Sequence, residues 1–341
     1  MVTYYKIGDM FCASAHGDLP YEKTEKPAAG TTLTWLFTGG PGSRRASFLV
    51  NHPAELFMEK EDVSWLNTNR LNASAYDGQT RELPADLLAQ LDAGTLRAVN
   101  ASHPKFEEIL AYKPKEGKKR VHVLAIGDVG SMLLTGLHLL GGDVISSIGI
   151  CDISDKVTAR WEFEENQIAY PWDYDAMPEV EAVKPEHLFD CDVFVFVASK
   201  GIPPVGSGVK DVRMYQFENN AKIMAHYAKM ARESRFKGLF CAVSDPVDPL
   251  AKTAFLESNK NEAGELDYMG LLPEQIQGFG LGDGTGHSVQ NIAVPAVALS
   301  YPLRHDADDH IVRDQLARIH IGLGLRADGR TGLDGGHGLE V

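Results

Sequence analysis

The sequence predicts an α/β chain built on a doubly wound parallel sheet, with a small α+β segment before it and an incomplete segment after it. Three observations carry this expectation. Val121-His122-Val123-Leu124-Ala125-Ile126-Gly127-Asp128-Val129-Gly130-Ser131-Met132 reads as a buried strand, a glycine turn and the first turn of a helix. From Val121 onward strand patterns alternate with helix patterns, the signature of parallel βαβ units. Asp192-Val193-Phe194-Val195-Phe196-Val197-Ala198-Ser199 is a continuous apolar run, as expected of a strand covered on both faces.

In chain order, residues 1–112 differ in character from the remainder of the chain. Thr31-Thr32-Leu33-Thr34-Trp35-Leu36-Phe37-Thr38 suggests a strand, Gly39-Gly40-Pro41-Gly42 a turn, and Leu83 to Leu91 a helix. Lys113-Pro114-Lys115-Glu116-Gly117-Lys118-Lys119-Arg120 reads as a charged, solvated connector rather than a phosphate site. The expected division is therefore 1–118, an N-terminal α+β extension; 119–249, a dinucleotide-binding domain; and 250–341, a partial or atypical C-terminal domain.

Within 119–249, Gly127 and Gly130 match the second and third glycines of G-x-G-x-x-G, with Ala125 in place of the first. The second glycine lets the backbone approach a pyrophosphate, and the third lets the helix pack closely on its strand. Phosphates would then sit on free N–H groups of Gly127, Asp128, Val129 and Gly130 at the positive end of that helix. A purely structural strand–turn–helix gives the same pattern. Val144 to Asp152 comes next as a second strand ending in an acid, 25 residues after Gly127. Asp152 is near the offset of about 20 at which a carboxylate hydrogen-bonds an adenosine ribose, which favours NAD over a 2′-phosphorylated cofactor. Its alternative use is to cap the helix starting near Ser154. A long helical pattern runs from Asp211 to about Arg235, Gly238 to Val243 is the next strand, and Ser244-Asp245-Pro246-Val247-Asp248-Pro249 is the loop at its carboxyl end, where ligands of open α/β sheets bind.

Composition narrows the function. The 341 residues are 44% hydrophobic and 23% charged, with a net charge of -14 that argues against a nucleic-acid-binding surface. No run approaches the ~18 apolar residues of a membrane span, and Met1 to Lys6 lacks the apolar region of a signal peptide. Cys12, Cys151, Cys191 and Cys241 are widely spaced with no C-x-x-C. That usage fits a reducing cytoplasm and offers no metal site.

Beyond the glycine turn and Asp152, two further stretches resemble the lactate/malate dehydrogenase family. Gly201-Ile202-Pro203-Pro204-Val205-Gly206 followed by Asp211 to Ala221 is similar to the family's active-site loop, in which an arginine stands seven residues before an Asn-Ala pair, as Arg213 does before Asn220-Ala221. Ser244-Asp245-Pro246-Val247-Asp248 resembles its Asn-Pro-Val-Asp. The resemblance covers roughly residues 120–282. It implies a Rossmann-type sheet, an NAD cofactor, a small 2-oxo or 2-hydroxy acid as partner, and assembly with further copies of the chain. It also implies that Ala198 and Ser199 line the cofactor path, that Arg213 polarises the substrate carbonyl, and that Asn220 and Asp245 shape the nicotinamide end. An arginine on a closing loop suits that task, because it offers positive charge where negative charge develops. Arg213 as a surface residue pairing with Asp211 or Glu218 is the alternative.

The chain also departs from the family. No arginine or lysine lies between Gly201 and Val209, where malate-type members carry one, and Asp245 cannot donate an amide hydrogen bond. Gln275 to Gly282 resembles the strand before the family's Asp-x-x-Arg, yet continues as Asp283-Gly284-Thr285-Gly286-His287 without an arginine. Asp334-Gly335-Gly336-His337-Gly338 resembles the Gly-x-His-Gly of the family's proton-transferring histidine, and Arg313 lies 24 residues before His337, but His310 stands where an aspartate should orient it. The C-terminus is thus expected to be truncated or altered relative to its relatives. A dinucleotide-binding protein without turnover, serving as sensor or assembly subunit, is the second reading.

Overall fold

A computed structural model describes residues 2–43, 45–50, 53–56, 83–201, 203, 206 and 208–280. The amino lobe is a six-stranded mixed sheet in the order β3-β1-β2-β4-β6-β5. Its strands are β1 (Thr3–Ile7), β2 (Met10–Ser14), β3 (Glu22–Thr24), β4 (Leu33–Phe37), β5 (Ser47–Leu49) and β6 (Arg97–Asn100). The centre, β2, β4 and β6, is parallel. Side chains alternate across this sheet, since successive Cβ atoms point to opposite faces. Tyr4, Ala13, Trp35 and Ala98 enter one core with Leu87 of helix α1 (Ala85–Asp92). Tyr5, Cys12, Leu36 and Val99 enter the other with Phe106, Ile109 and Leu110 of helix α2 (Phe106–Ala111). Helices cover both faces of this mixed sheet, whose edges are antiparallel and whose centre is parallel.

The second lobe begins at the connector. Six strands run β7 (Lys119–Leu124), β8 (Ile145–Cys151), β9 (Glu179–Ala182), β10 (Val193–Phe196), β11 (Leu239–Ala242) and β12 (Ile276–Gly278), every pair parallel, in the order β12-β11-β10-β7-β8-β9. Between them lie helices α3 (Asp128–Leu140), α4 (Asp155–Asn166), α5 (Val212–Glu233) and α6 (Val247–Ser258). Val121, Val123, Val193 and Val195 face α3 and α4, packing with Leu134 and Trp161. Phe194, Phe196 and Phe240 face α5 and α6, packing with Met224, Ala228 and Leu250. The unbroken apolar strands of the sequence are therefore those buried on both faces. This is a Rossmann-type doubly wound sheet, and β12 carries it to residue 278.

A half-buried carboxylate helps to join the two lobes. Glu274, just before β12, accepts from Ala46 N at 3.1 Å and from Ser47 N and Oγ at 2.7 and 2.9 Å. Burial raises its pKa despite those donors. Lys105 Nζ donates to Gly270 O at 3.1 Å, Lys237 pairs with Glu108 at 3.1 Å, and Lys115 pairs with Asp192 at 2.8 Å. Leu272 closes the apolar core around α2.

Candidate functional site

The strand order of the second lobe reverses between β7 and β10, and ligands of open α/β sheets bind outside the carboxyl ends of strands at such a reversal. The turn after β7 forms one wall of this crevice. Ala125 stands there at φ +75, a left-handed backbone that a Cβ makes costly by about 1–2 kcal/mol. Its N–H donates to Cys151 O at 2.8 Å. Gly127 is exposed, and a Cβ added to it would meet nothing within 4 Å, so open space lies above the start of α3. A Cβ on Gly130 would come within 2.0 Å of Ala125 O. The helix can approach its strand this closely only because residue 130 has no side chain. Asp128, Val129 and Gly130 form the first helical turn, whose N–H groups have no acceptor within the helix.

Asp152 braces that turn. Its Oδ2 accepts from Ile126 N at 2.8 Å and its Oδ1 from Ser154 N at 3.1 Å. Ser154 is the N-cap residue of α4, so part of the capping alternative is realised. A carboxylate has about four lone-pair sites, and the two backbone bonds leave acceptor capacity for a ribose hydroxyl.

The opposite wall follows β10. Val197 N donates to Leu124 O at 3.1 Å, so Ala198 and Ser199 leave the sheet beside the glycine turn. Asn220 of α5, fully buried, then ties this wall together. Its Oδ1 accepts from Lys200 N at 2.9 Å, and its Nδ2 donates to Ser199 Oγ at 3.2 Å and to Asp245 O at 2.8 Å. One side-chain amide thereby couples the segments following β10 and β11. Asp245 is exposed and precedes a cis bond to Pro246. Its carbonyl, not its carboxylate, makes the contact with Asn220.

Arg213 is exposed in the first turn of α5, after Asp211, whose carboxylate accepts from Met214 N at 3.0 Å. Among the described residues neither Asp211 nor Glu218 forms an ion pair with it. Gly127, Asp128, Val129, Gly130, Asp152, Ala198, Ser199, Asn220 and Asp245 thus gather at the carboxyl ends of β7, β8, β10 and β11, with Arg213 on the helix after β10. Ile202, Pro204, Val205, Asp283, His287, Arg313 and His337 lie outside the described residues. The hub formed by Asn220 was not legible in the sequence, since no local pattern announces a hydrogen bond across 25 residues. The strain at Ala125 was signalled, because the motif wants glycine there. Among the described residues no cluster of three or more His, Cys, Asp or Glu could hold a metal ion, and no helix is long and apolar enough to cross a membrane.

No family model matches the chain. The L-lactate dehydrogenase of Mycoplasma mobile is 28% identical over 198 residues, covering 53% of this chain and 58% of that protein. The L-lactate dehydrogenase of Mycoplasma pneumoniae is 26% identical over 223 residues, covering 59% and 66%. The chain therefore spans less than two thirds of the length of either relative. Similar solved structures include a minor L-lactate dehydrogenase from Enterococcus mundtii (TM-score 0.39, 19% identity, 48% of this chain and 46% of that one). A malate dehydrogenase from Picrophilus torridus is another (TM-score 0.38, 20% identity, 49% and 46%). With a 3-2-1-4-5-6 parallel sheet, a glycine turn at its reversal and these two curated relatives, the chain is similar, at the level of the family and no finer, to the lactate/malate dehydrogenases.

Proposed function

We propose that the chain is an NAD-dependent oxidoreductase acting on a small 2-oxo or 2-hydroxy acid. The observation that carries this reading is the glycine turn: open space at Gly127, close helix packing at Gly130 and a carboxylate at Asp152, all at the reversal of the sheet. Those residues fit a dinucleotide. Gly127 to Gly130 would hold the pyrophosphate, Asp152 the adenosine ribose, and Ala198 and Ser199 the path toward the nicotinamide. NAD supplies or accepts the hydride when bound. Arg213 would orient and polarise the substrate carbonyl, and Asn220 would hold the wall behind it. His337 would carry the proton on its imidazole, whose pKa range suits that exchange.

The same reading extends to the rest of the chain. The division at 118/119 is supported by the two separate sheets, whereas β12 extends the nucleotide-binding sheet beyond residue 249. All four cysteines are unpaired, which supports a reducing, cytoplasmic setting. Assembly with further copies belongs to the proposal, and no nucleic acid or membrane partner does.

A second reading, a dinucleotide-binding protein without turnover, is favoured by the exposed Asp245. Its carboxylate would face an anionic substrate where an amide would help. NADH titration by fluorescence, repeated with pyruvate and oxaloacetate while absorbance is followed, separates the two. Binding with oxidation, abolished by Arg213→Ala at unchanged NADH affinity, supports the dehydrogenase. Binding without oxidation of any 2-oxo acid supports the second reading. No binding overturns both.

A further inference from the structure

A carboxylate at position 245 repels an anionic substrate, so a chain that keeps it while acting on 2-oxo acids needs a cation close by. Lys200 is placed to be that cation. It directly follows Ser199 beyond the carboxyl end of β10, with an exposed side chain. Its main-chain N–H donates to Asn220 Oδ1 at 2.9 Å, and the same amide donates through Nδ2 to Asp245 O at 2.8 Å. The main chains of Lys200 and Asp245 are therefore separated by one side-chain amide and its two hydrogen bonds. A lysine carries its ammonium on a flexible four-carbon stem, long enough to cross that gap. Lys200 Nζ can thus reach the Asp245 carboxylate or an anion seated beside it. Both side chains are exposed, and neither forms an ion pair among the described residues.

The neighbouring described charges have other placements. Asp211 caps α5 by accepting from Met214 N at 3.0 Å. Asp248 lies in the first turn of α6, where the positive end of the helix offsets its charge. Lys210 stands ten residues farther along the chain, beside the Asp211 cap. Arg213 is assigned above to the substrate carbonyl. Lys200 alone among these cations is anchored by its main chain to the amide that also holds Asp245.

We propose, resting on the dehydrogenase reading given above, that Lys200 and Asp245 are a specificity-determining pair that selects monocarboxylic over dicarboxylic 2-oxo acids. In the bound state the Lys200 ammonium bridges the Asp245 carboxylate and the single carboxylate of the substrate. An ammonium has three donors, enough to bond both carboxylates at once. Pyruvate then meets a cation at its carboxylate, with Arg213 left free for its carbonyl. Oxaloacetate brings a second negative charge to a wall that already holds Asp245, and like charges set side by side oppose binding. Selection therefore comes from repulsion of the wrong substrate as well as attraction of the right one.

Acetylation of Lys200 by acetic anhydride, read by mass spectrometry of its peptide, tests this in the full chain without turnover. The probes are oxidised NAD with pyruvate or oxaloacetate, since two oxidised partners cannot exchange a hydride. Oxidised NAD alone should leave Lys200 reactive, and added pyruvate should protect it at a lower concentration than oxaloacetate does. Asp245→Asn should narrow that difference at least ~10-fold. In steady-state assays Lys200→Ala should raise the pyruvate KM about 10- to 100-fold, the factor for losing a hydrogen bond to a charged group. NADH affinity should stay unchanged, and Lys200→Arg should recover most of the loss. Protection by oxidised NAD alone assigns Lys200 to the cofactor's phosphates and overturns the proposal. So does protection by neither acid in a chain that binds NADH, or a preference indifferent to Asp245→Asn. Protection by pyruvate without oxidation of NADH keeps the pair and overturns the dehydrogenase reading, whereas no NADH binding overturns both.

Discussion

Ala125 holds a backbone that glycine would hold at lower cost, and Gly130 holds a place that alanine could not. The two positions make opposite predictions. Ala125→Gly removes the left-handed penalty while adding chain entropy to the unfolded state, so a net gain of up to about 1 kcal/mol is expected. Gly130→Ala forces a Cβ to 2.0 Å from Ala125 O, so the helix must shift, at a cost of about 1–3 kcal/mol by analogy with overpacking. Thermal melts measure both, and NADH titration should show affinity lost only in the second. Asn220 is the other residue whose identity is dictated by its surroundings. Asn220→Ala leaves Lys200 N without its acceptor and frees the carbonyl of Asp245, so a loss of about 1–3 kcal/mol is expected. Asn220→Asp keeps the acceptor but not the donor, and should fall between the two in a denaturant titration. None of this could be read from Asn220 itself. Its place in an Asn-Ala pair gave the position by resemblance, and only the fold shows what it holds.

Among the elements, those with a strong period or a strict turn were legible. The glycine-turn strand and helix are β7 and α3, the apolar run from Asp192 contains β10, and the helical pattern from Asp211 is α5 at Val212–Glu233. These strands are apolar on both faces because helices cover both, which leaves a signal that survives without context. The amino lobe was harder to read. Its strands are three to five residues long, and β2, β4 and β6 reach one another across intervals that no local pattern spans. The C-terminal candidates, His337 foremost, lie outside the described residues.

Taken whole, the molecule is two three-layer lobes joined in part through a half-buried carboxylate. Burial is the main cause of the raised pKa of Glu274, with the Ala46 and Ser47 donors opposing it. A carboxyl whose pKa is higher folded than unfolded contributes stability below the unfolded value of about 4.5, and that contribution is lost as pH rises through the folded value. Glu274→Gln removes the titration. Denaturant unfolding from pH 4 to 8 should therefore show the native chain losing stability relative to the variant as pH rises. A constant difference between them would mean that Glu274 has the same pKa folded and unfolded.

The same contact bears on how such a chain can change over generations. The exposed connector at 113–118 is where recombination would most easily cut, because it links the two sheets without belonging to either. The second lobe parted there would keep Glu274 without the amides of Ala46 and Ser47, and the amino lobe would keep those amides without an acceptor. Either fragment inherits half of a matched set. Exchange of the amino lobe among relatives is thus restricted to partners that bring a replacement for both halves together, and the two lobes are bound to descend as a pair.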